Sequence, residues 1–406
     1  MGVKLFRSTD TGAPSLTGQA GSLVALIDAV LTAGYNSKTV TITRSGTTAT
    51  ASCTAHGFPS DGLTKVRIAG ANESPYNGDQ TIFNVTANTF DFTVAGSPAT
   101  PATGTITAKV APADVWVKEF AGTNLGVYRT SDVTGGGRPY IQFLDTTTTY
   151  CQIRTAEVMY DASNGANFAT GRYIQKSSTA DGTARPWVIV ADDRFVQVHV
   201  AFHASHSNIF APGGFGDITS EVANDLYGGM VWAGSVTATP TTPGESNSVW
   251  TNNIRELLAA STTYLSVSVI LARAGDGVAK SPSGYLVTPF SLRPDASTAS
   301  YPPGGGNNGN NGLTTPSPVN GAYYMDRIQV YQAMQMNNPV NAGLRGYLPG
   351  IYGPRHARPT ANLSTYVSTS PATSGRKFLA LDVGQSATAS AGMWGQIHVD
   401  LTGPWR

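Results

Sequence analysis

The chain has 406 residues, enough for two or three domains that each bury a core. Charged residues make up only 13%, against about 25% in an average soluble domain, and the formal net charge is +1, with Lys and Arg spread along the chain. This balance gives no electrostatic footprint for nucleic acid. A 40% hydrophobic content argues against disorder, and no apolar run approaches the ~20 residues that cross a bilayer as a helix.

Taken in chain order, Met1 to Asp10 lacks the basic start, apolar stretch and cleavage site of a signal peptide, so synthesis in a bacterial cytoplasm is expected. Leu23, Leu26, Ile27, Val30 and Leu31 then fall at i, i+3, i+4, i+7 and i+8, which predicts one short amphipathic helix. Gly34 stands where its C-terminal cap belongs. A lone helix cannot form a core. Its face, with Leu23, Leu26, Ile27 and Val30 as candidate interface residues, packs either on a later part of the chain or on a neighbouring subunit.

From Lys38 to Val110 the pattern changes to short alternating runs such as Thr89–Val94 and Thr105–Val110, about six in all. Turn signals at Ser45-Gly46, Asp61-Gly62 and Asn77-Gly78 separate them. This predicts a small β-sandwich of immunoglobulin-like size without the Cys-Trp-Cys pattern of antibody domains. Beyond Ala111, β-type runs recur at Tyr140–Leu144, Arg154–Tyr160, Trp187–Val190, Phe195–Phe202, Tyr264–Leu271 and Phe378–Val383, while the longest helical stretch is Asn253–Ala260. A larger antiparallel sandwich or jelly-roll-like domain is expected, with a Gly/Asn-rich loop at 301–312. The expected division is 1–37, an N-terminal segment with the helix; 38–110, the small sandwich; and 111–406, the large domain. Cys53 and Cys151 then fall in different domains and are expected as free thiols.

The one cluster with chemical potential is His199, His203 and His206, with Asp192, Asp193 and Asp217 near in sequence. On a helix, His199 and His203 would suit a metal, with Asp217 as a third candidate ligand. The run Phe195–Phe202 alternates as a strand does, which sets the two about 13 Å apart. Histidines at a sheet edge or loop are therefore expected instead. No nucleophile elbow, phosphate loop, HExxH or Cys-x-x-Cys occurs, and Gly135-Gly-Gly-Arg138 reads as a turn. Carboxylates such as Glu157, Asp161, Asp192, Asp193 and Glu221 permit a glycosidase pair, but their spacing identifies none. Trp187 sits in an apolar run and is expected in the core. Tyr323, Tyr324, Tyr331, Tyr347 and Tyr352 lie in a Gly, Pro and Asn-rich region with weak periodicity, which makes them candidates for a subunit or receptor contact. Met325, Met334 and Met336 add adaptable apolar surface.

Several islands resemble virion structural proteins encoded in the tail-gene region of tailed bacteriophages of Gram-negative bacteria. They include Val3–Pro14, Gly18–Leu23, Ile42–Thr50, Lys118–Asn124, Lys176–Trp187, Leu344–Gly350 and Val399–Arg406, and so span nearly the whole chain. The resemblance implies a structural subunit of the tail, baseplate or host-attachment apparatus, made in the host cytoplasm and residing in the virion tail. It supplies no catalytic residues and calls for no cofactor. The implied partners are other virion proteins in the tail or near the portal, a homo-oligomer of three-, six- or twelve-fold symmetry, and a host surface receptor, with no nucleic acid and no membrane insertion. Alternatives are a capsid decoration protein and a receptor-binding or polysaccharide-degrading tail fibre or spike. In such proteins the small sandwich looks like an insertion, which would let the helix pack across to the region after Ala111.

Overall fold

The computed structural model describes residues 2–233 except 114, 135, 170 and 206, then 268–271, 273, 277–280, 283–287, 319–333, 342–354, 360–384 and 394–406. The expected helix at 253–260, the loop at 301–312, and His206, Met334 and Met336 lie outside the described residues. The chain is mainly β, with antiparallel sheets and one short α-helix among the described residues.

The largest sheet has thirteen strands among the described residues. It begins with Lys4–Arg7, Trp187–Ala191, Phe195–Val200, Ala211–Asp217 and Gly229–Ala233 and continues through Ser268–Ile270 and Ser283–Val287. It ends with Met325–Ala333, Ala342–Pro354, Trp394–Asp400, Lys377–Gly384 and Thr365–Val367. The two halves fold onto each other. Val188, Val190, Phe195, Met230 and Trp232 of the first half share one core with Ile328, Ile351, Leu381, Ile397 and Val399 of the second. The short strand Thr219–Ser220 pairs with Tyr347 and Gly346, closing the fold between the halves.

The first half is buried on both faces, so Trp187–Ala191 and Phe195–Val200 contain no exposed position. Their other face, through Trp187, Ile189, Val196 and Val198, packs on a six-stranded sheet. That sheet contains Gly165–Phe168, Tyr150–Met159, Tyr140–Leu144, Leu125–Thr130 and Trp116–Gly122 in spatial order, with Arg172–Gln175 also paired to Tyr150–Met159. The expected larger sandwich therefore carries a third layer.

Seven strands between Tyr35 and Val110 form the remaining sheet. Its end strands, Tyr35–Thr39 and Thr41–Ser45, are consecutive in sequence. One pairs with Gly104–Val110 and the other with Thr48–Ser52, so the sheet curls round on itself. Backbone bonds from Val40 N to Ile106 O and from Ala102 N to Ile42 O span the corner. The strand Tyr35–Thr39 had no clear alternation and was not expected from sequence.

The helix Ser22–Asp28 continues into a single π-turn, Ala29–Ala33, and stops at Gly34, whose φ of 72° is one that glycine adopts readily. Leu23, Leu26, Ile27 and Val30 are fully buried within this one chain, in the same cluster as Ile141, Phe143 and Trp187. Of the two destinations expected for this face, the structure shows the one within the chain: the side chains pack in the cluster shared with the six-stranded sheet and the curled sheet.

The strand Ala211–Asp217, sequence APGGFGD, reads as a loop because Gly and Pro are poor strand formers. It forms where it does because glycine admits close neighbours. A Cβ on Gly214 would collide with the Trp232 indole nitrogen and the Val196 carbonyl.

Candidate functional site

The three proposed metal ligands are not brought together. His199 lies on an interior strand of the large sheet, third from one edge, opposite Val188 on one side and Pro212 on the other, and is wholly buried. Burial lowers its imidazole to about 3. Neither ring nitrogen has a hydrogen-bond partner. His203 lies beyond the end of that strand, where its Nδ1 accepts the Ser205 N–H at 3.2 Å. Asp217 sits five residues past Pro212 on the adjacent strand, about 17 Å along it in the other direction. Among the described residues no three His, Cys, Asp or Glu side chains could hold a metal. The expectation that these histidines flank an edge or loop is corrected for His199, which occupies an interior strand paired on both sides.

The carboxylates near the end of that strand belong to a clasp. Arg194 donates from Nε to Asp132 at 3.0 Å and from Nη1 to Asp217 at 3.2 Å. Arg406 reaches Asp192 at 3.2 Å and donates to the Asp217 carbonyl. Burial pushes the Asp217 carboxyl up to about 7, against the pull of Arg406 and Arg194, and it raises Asp192 as well. Asp217 and Asp192 thus face guanidinium groups in the interior, and Asp132 does so from a partly exposed position. The arrangement ties the last residues of the sequence to the central sheet. Cys53 and Cys151 are both free. Trp187 is buried as expected and donates its indole N–H to the Pro14 carbonyl at 3.1 Å.

All five singled-out tyrosines are half-buried. Tyr324 accepts from Asn320 Nδ2 at 2.6 Å, and the Tyr331 hydroxyl reaches Gln329 Oε1 at 3.4 Å. Tyr323 packs against Tyr366 with ring centroids 6.3 Å apart. Tyr347 and Tyr352 line a common groove.

The groove exists because of an irregularity in strand pairing. Arg327 pairs with Tyr352 and Gln329 with Tyr347, so Ile328 alone faces Leu348, Pro349, Gly350 and Ile351. The excess backbone bulges inward: Leu348 and Ile351 enter the core, and Gln197 Nε2 donates to the Pro349 carbonyl at 2.7 Å. Gly350 adopts φ +72° against the Trp405 ring, where any Cβ would overlap the indole. With the intervening residues drawn in, the two tyrosines flank Arg327.

Asp326, Arg327, Gln329, Tyr347, Tyr352 and Thr373 surround an open groove of about 270 Å³, and Met325 and Ala372 complete its wall. The Arg327 guanidinium lies 3.8 Å from the Tyr347 ring centroid. Tyr352 is braced edge-on by the buried Phe378 at 5.2 Å. Burial, with the Asp400 carboxylate nearby, pushes the Tyr352 phenol up, so it stays a neutral hydrogen-bonding group. The groove thus sets aromatic rings beside a cation, a carboxylate and an amide, while the Thr373 hydroxyl is buried and bonded to Ser368 Oγ at 2.8 Å. The sequence flagged both tyrosines. It gave no signal for Arg327, Gln329 or Thr373, which only the pairing places beside them.

Together the sheets and groove define a mainly β protein of stacked sheets with a small polar-aromatic groove. No protein-family model matches the chain, and no curated protein matches it. Among solved structures it aligns with "Phage phi92 endosialidase" at 9% identity and a TM-score of 0.15, covering 91% of this chain and 52% of that one. The chain thus spans about half the length of that protein.

Proposed function

We propose that this chain is a non-enzymatic structural subunit of a tailed-phage virion, built into the tail or host-attachment apparatus. The observation that carries this reading is the resemblance of sequence islands along nearly the whole chain to tail-region virion proteins. Several of those islands occupy the joints of the fold. Val3–Pro14 includes the strand that edges the large sheet, Leu344–Gly350 includes most of the inward bulge, and Val399–Arg406 carries the arginine clasp. These three islands lie in the scaffold of the fold. Such a subunit works through buried interface area and symmetry, with other virion proteins and further copies of itself as partners.

The test is to locate the chain on purified particles with a gold-labelled antibody and to count copies by quantitative mass spectrometry. Label confined to the tail, at a copy number matching three-, six- or twelve-fold rings, is the expected result. Several hundred copies spread over the head would replace this reading with capsid decoration. Absence from the particle would overturn it.

A further inference from the structure

We infer that Lys176 and Asp145 join in an amide cross-link between their side chains, formed by the folded chain itself with loss of one water. The pair is singled out by burial. Both side chains are wholly shielded from solvent, whereas the lysine ion pairs Lys4–Asp79 and Lys118–Asp28 keep part of each side chain exposed. Lys176 Nζ donates to Asp145 Oδ1 and, at 2.7 and 2.8 Å, to the carbonyls of Gln19 and Thr147. Asp145 Oδ2 accepts the backbone N–H groups of Leu23 at 2.7 Å and Val24 at 3.1 Å.

These contacts set out the parts of an acyl transfer. An ammonium has three N–H groups, and here each has its own acceptor. Passing one proton to Oδ1 leaves a neutral amine whose other two N–H groups stay on Gln19 and Thr147, so its lone pair faces the Asp145 carboxyl. Burial favours that transfer, because it penalises both charges and pushes the Asp145 carboxyl up against the pull of Lys176. Nζ then bonds to Cγ, and negative charge develops on Oδ2, where two amide donors already stand at distances that stabilise an oxyanion. A second proton moves from Nζ to the Oδ1 hydroxyl, the Cγ–Oδ1 bond breaks, and water leaves. No oxidant or co-reactant is needed. Holding amine and acid in contact replaces a bimolecular encounter, and closure to solvent slows the reverse hydrolysis. The ion pair is thus the reactant state of the link. The product ties the end of the strand Tyr140–Leu144 to the segment after Arg172–Gln175, beside the start of the helix.

The test is the intact mass of the purified full-length chain after denaturation, followed by peptide mapping with tandem mass spectrometry. The expected mass is lighter by one water than the sequence requires, counted from the N-terminus that the map shows. Trypsin should fail to cut after Lys176, and a branched peptide should carry Lys176 and Asp145 together. Lys176→Met keeps the side-chain volume but removes the nucleophile, and it should restore the full mass. The parent's own peptide map decides the question whether or not that variant folds. Full mass in folded protein after prolonged incubation would overturn the inference. So would loss of a water without the branched peptide, since an aspartate can lose water by closing on its own backbone. Neither outcome bears on the virion reading, which antibody labelling tests separately.

Discussion

His199 has two ring nitrogens without hydrogen-bond partners in the middle of a sheet, and burial lowers its imidazole from 6.5 to about 3. The sign of the resulting pH dependence follows directly. Between those two values the unfolded chain takes up a proton that the folded chain refuses, so stability falls as pH drops below 6.5 toward 3. The loss near pH 3 is on the order of 5 kcal/mol for this one group. His199→Leu should therefore gain on the parent in thermal midpoint as the pH is lowered from 7 to 4; parallel melting curves across that range would show that the imidazole is not the cause. At pH 7 the same substitution should be close to neutral, because it removes polar atoms that have no partners to lose. No metal effect is expected from His199, His203 and Asp217, and isothermal titration with zinc should show no uptake that depends on His199.

The helix Ser22–Asp28 begins at Gly21 with no side-chain cap of its own. Its first amides are instead satisfied from another sheet: Asp145 Oδ2 accepts Leu23 N–H at 2.7 Å and Val24 N–H at 3.1 Å. The other Asp145 oxygen pairs with Lys176, both side chains being fully buried. Asp145→Ala removes a remote helix cap and leaves an uncompensated buried ammonium, so a loss of about 3–5 kcal/mol is expected in denaturant unfolding. A loss below 1 kcal/mol would mean that water reaches Lys176. The bulge makes a comparable demand on Gly350. Gly350→Ala combines a left-handed backbone with overlap of the Trp405 ring, and a loss of about 2–5 kcal/mol should appear in the same assay.

At the scale of the molecule, one apolar cluster runs without a break through the helix, the curled sheet, the six-stranded sheet and the central strands. Polar ties reinforce it. Lys4 donates to Asp79 and to the Pro112 carbonyl, each at 2.5 Å, and Arg7 pairs with Asp61 at 2.5 Å, so the first strand of the large sheet grips the curled sheet. Calorimetry should show residues 35–110 unfolding in the same transition as the layers they pack on; a separate early transition would show that the shared core does not couple them. Arg406 serves the opposite end of the sequence by neutralising Asp192, which is 5% exposed. Arg406→Ala should cost about 1.5–3 kcal/mol, read from the urea midpoint.

Strand character was legible wherever alternation or β-branched residues dominated, as in Tyr140–Leu144, Trp187–Val190 and Phe378–Val383, because those patterns follow from local geometry. The helix and its Gly34 stop were equally local. The Gly-rich strands Ala211–Asp217 and Ala342–Pro354 could not be read this way. Gly214 and Gly350 are explained by close approach to Trp232 and Trp405, and Gly216 and Gly346 by the backbones of Arg194 and Thr219. The destination of the helix face was also undecided in sequence, since an apolar stripe does not say what will cover it. The same holds for the groove. Composition marked Tyr347 and Tyr352 as candidates, but their placement around Arg327 depends on a pairing register that only the folded sheet fixes. The sequence alone determined a mainly β chain with a short helix at 22–28 and a low charge content, since these follow from local propensity and composition. Tertiary structure decided which faces are covered, which charges are paired and where the groove forms, because each of these depends on contacts between residues far apart along the chain.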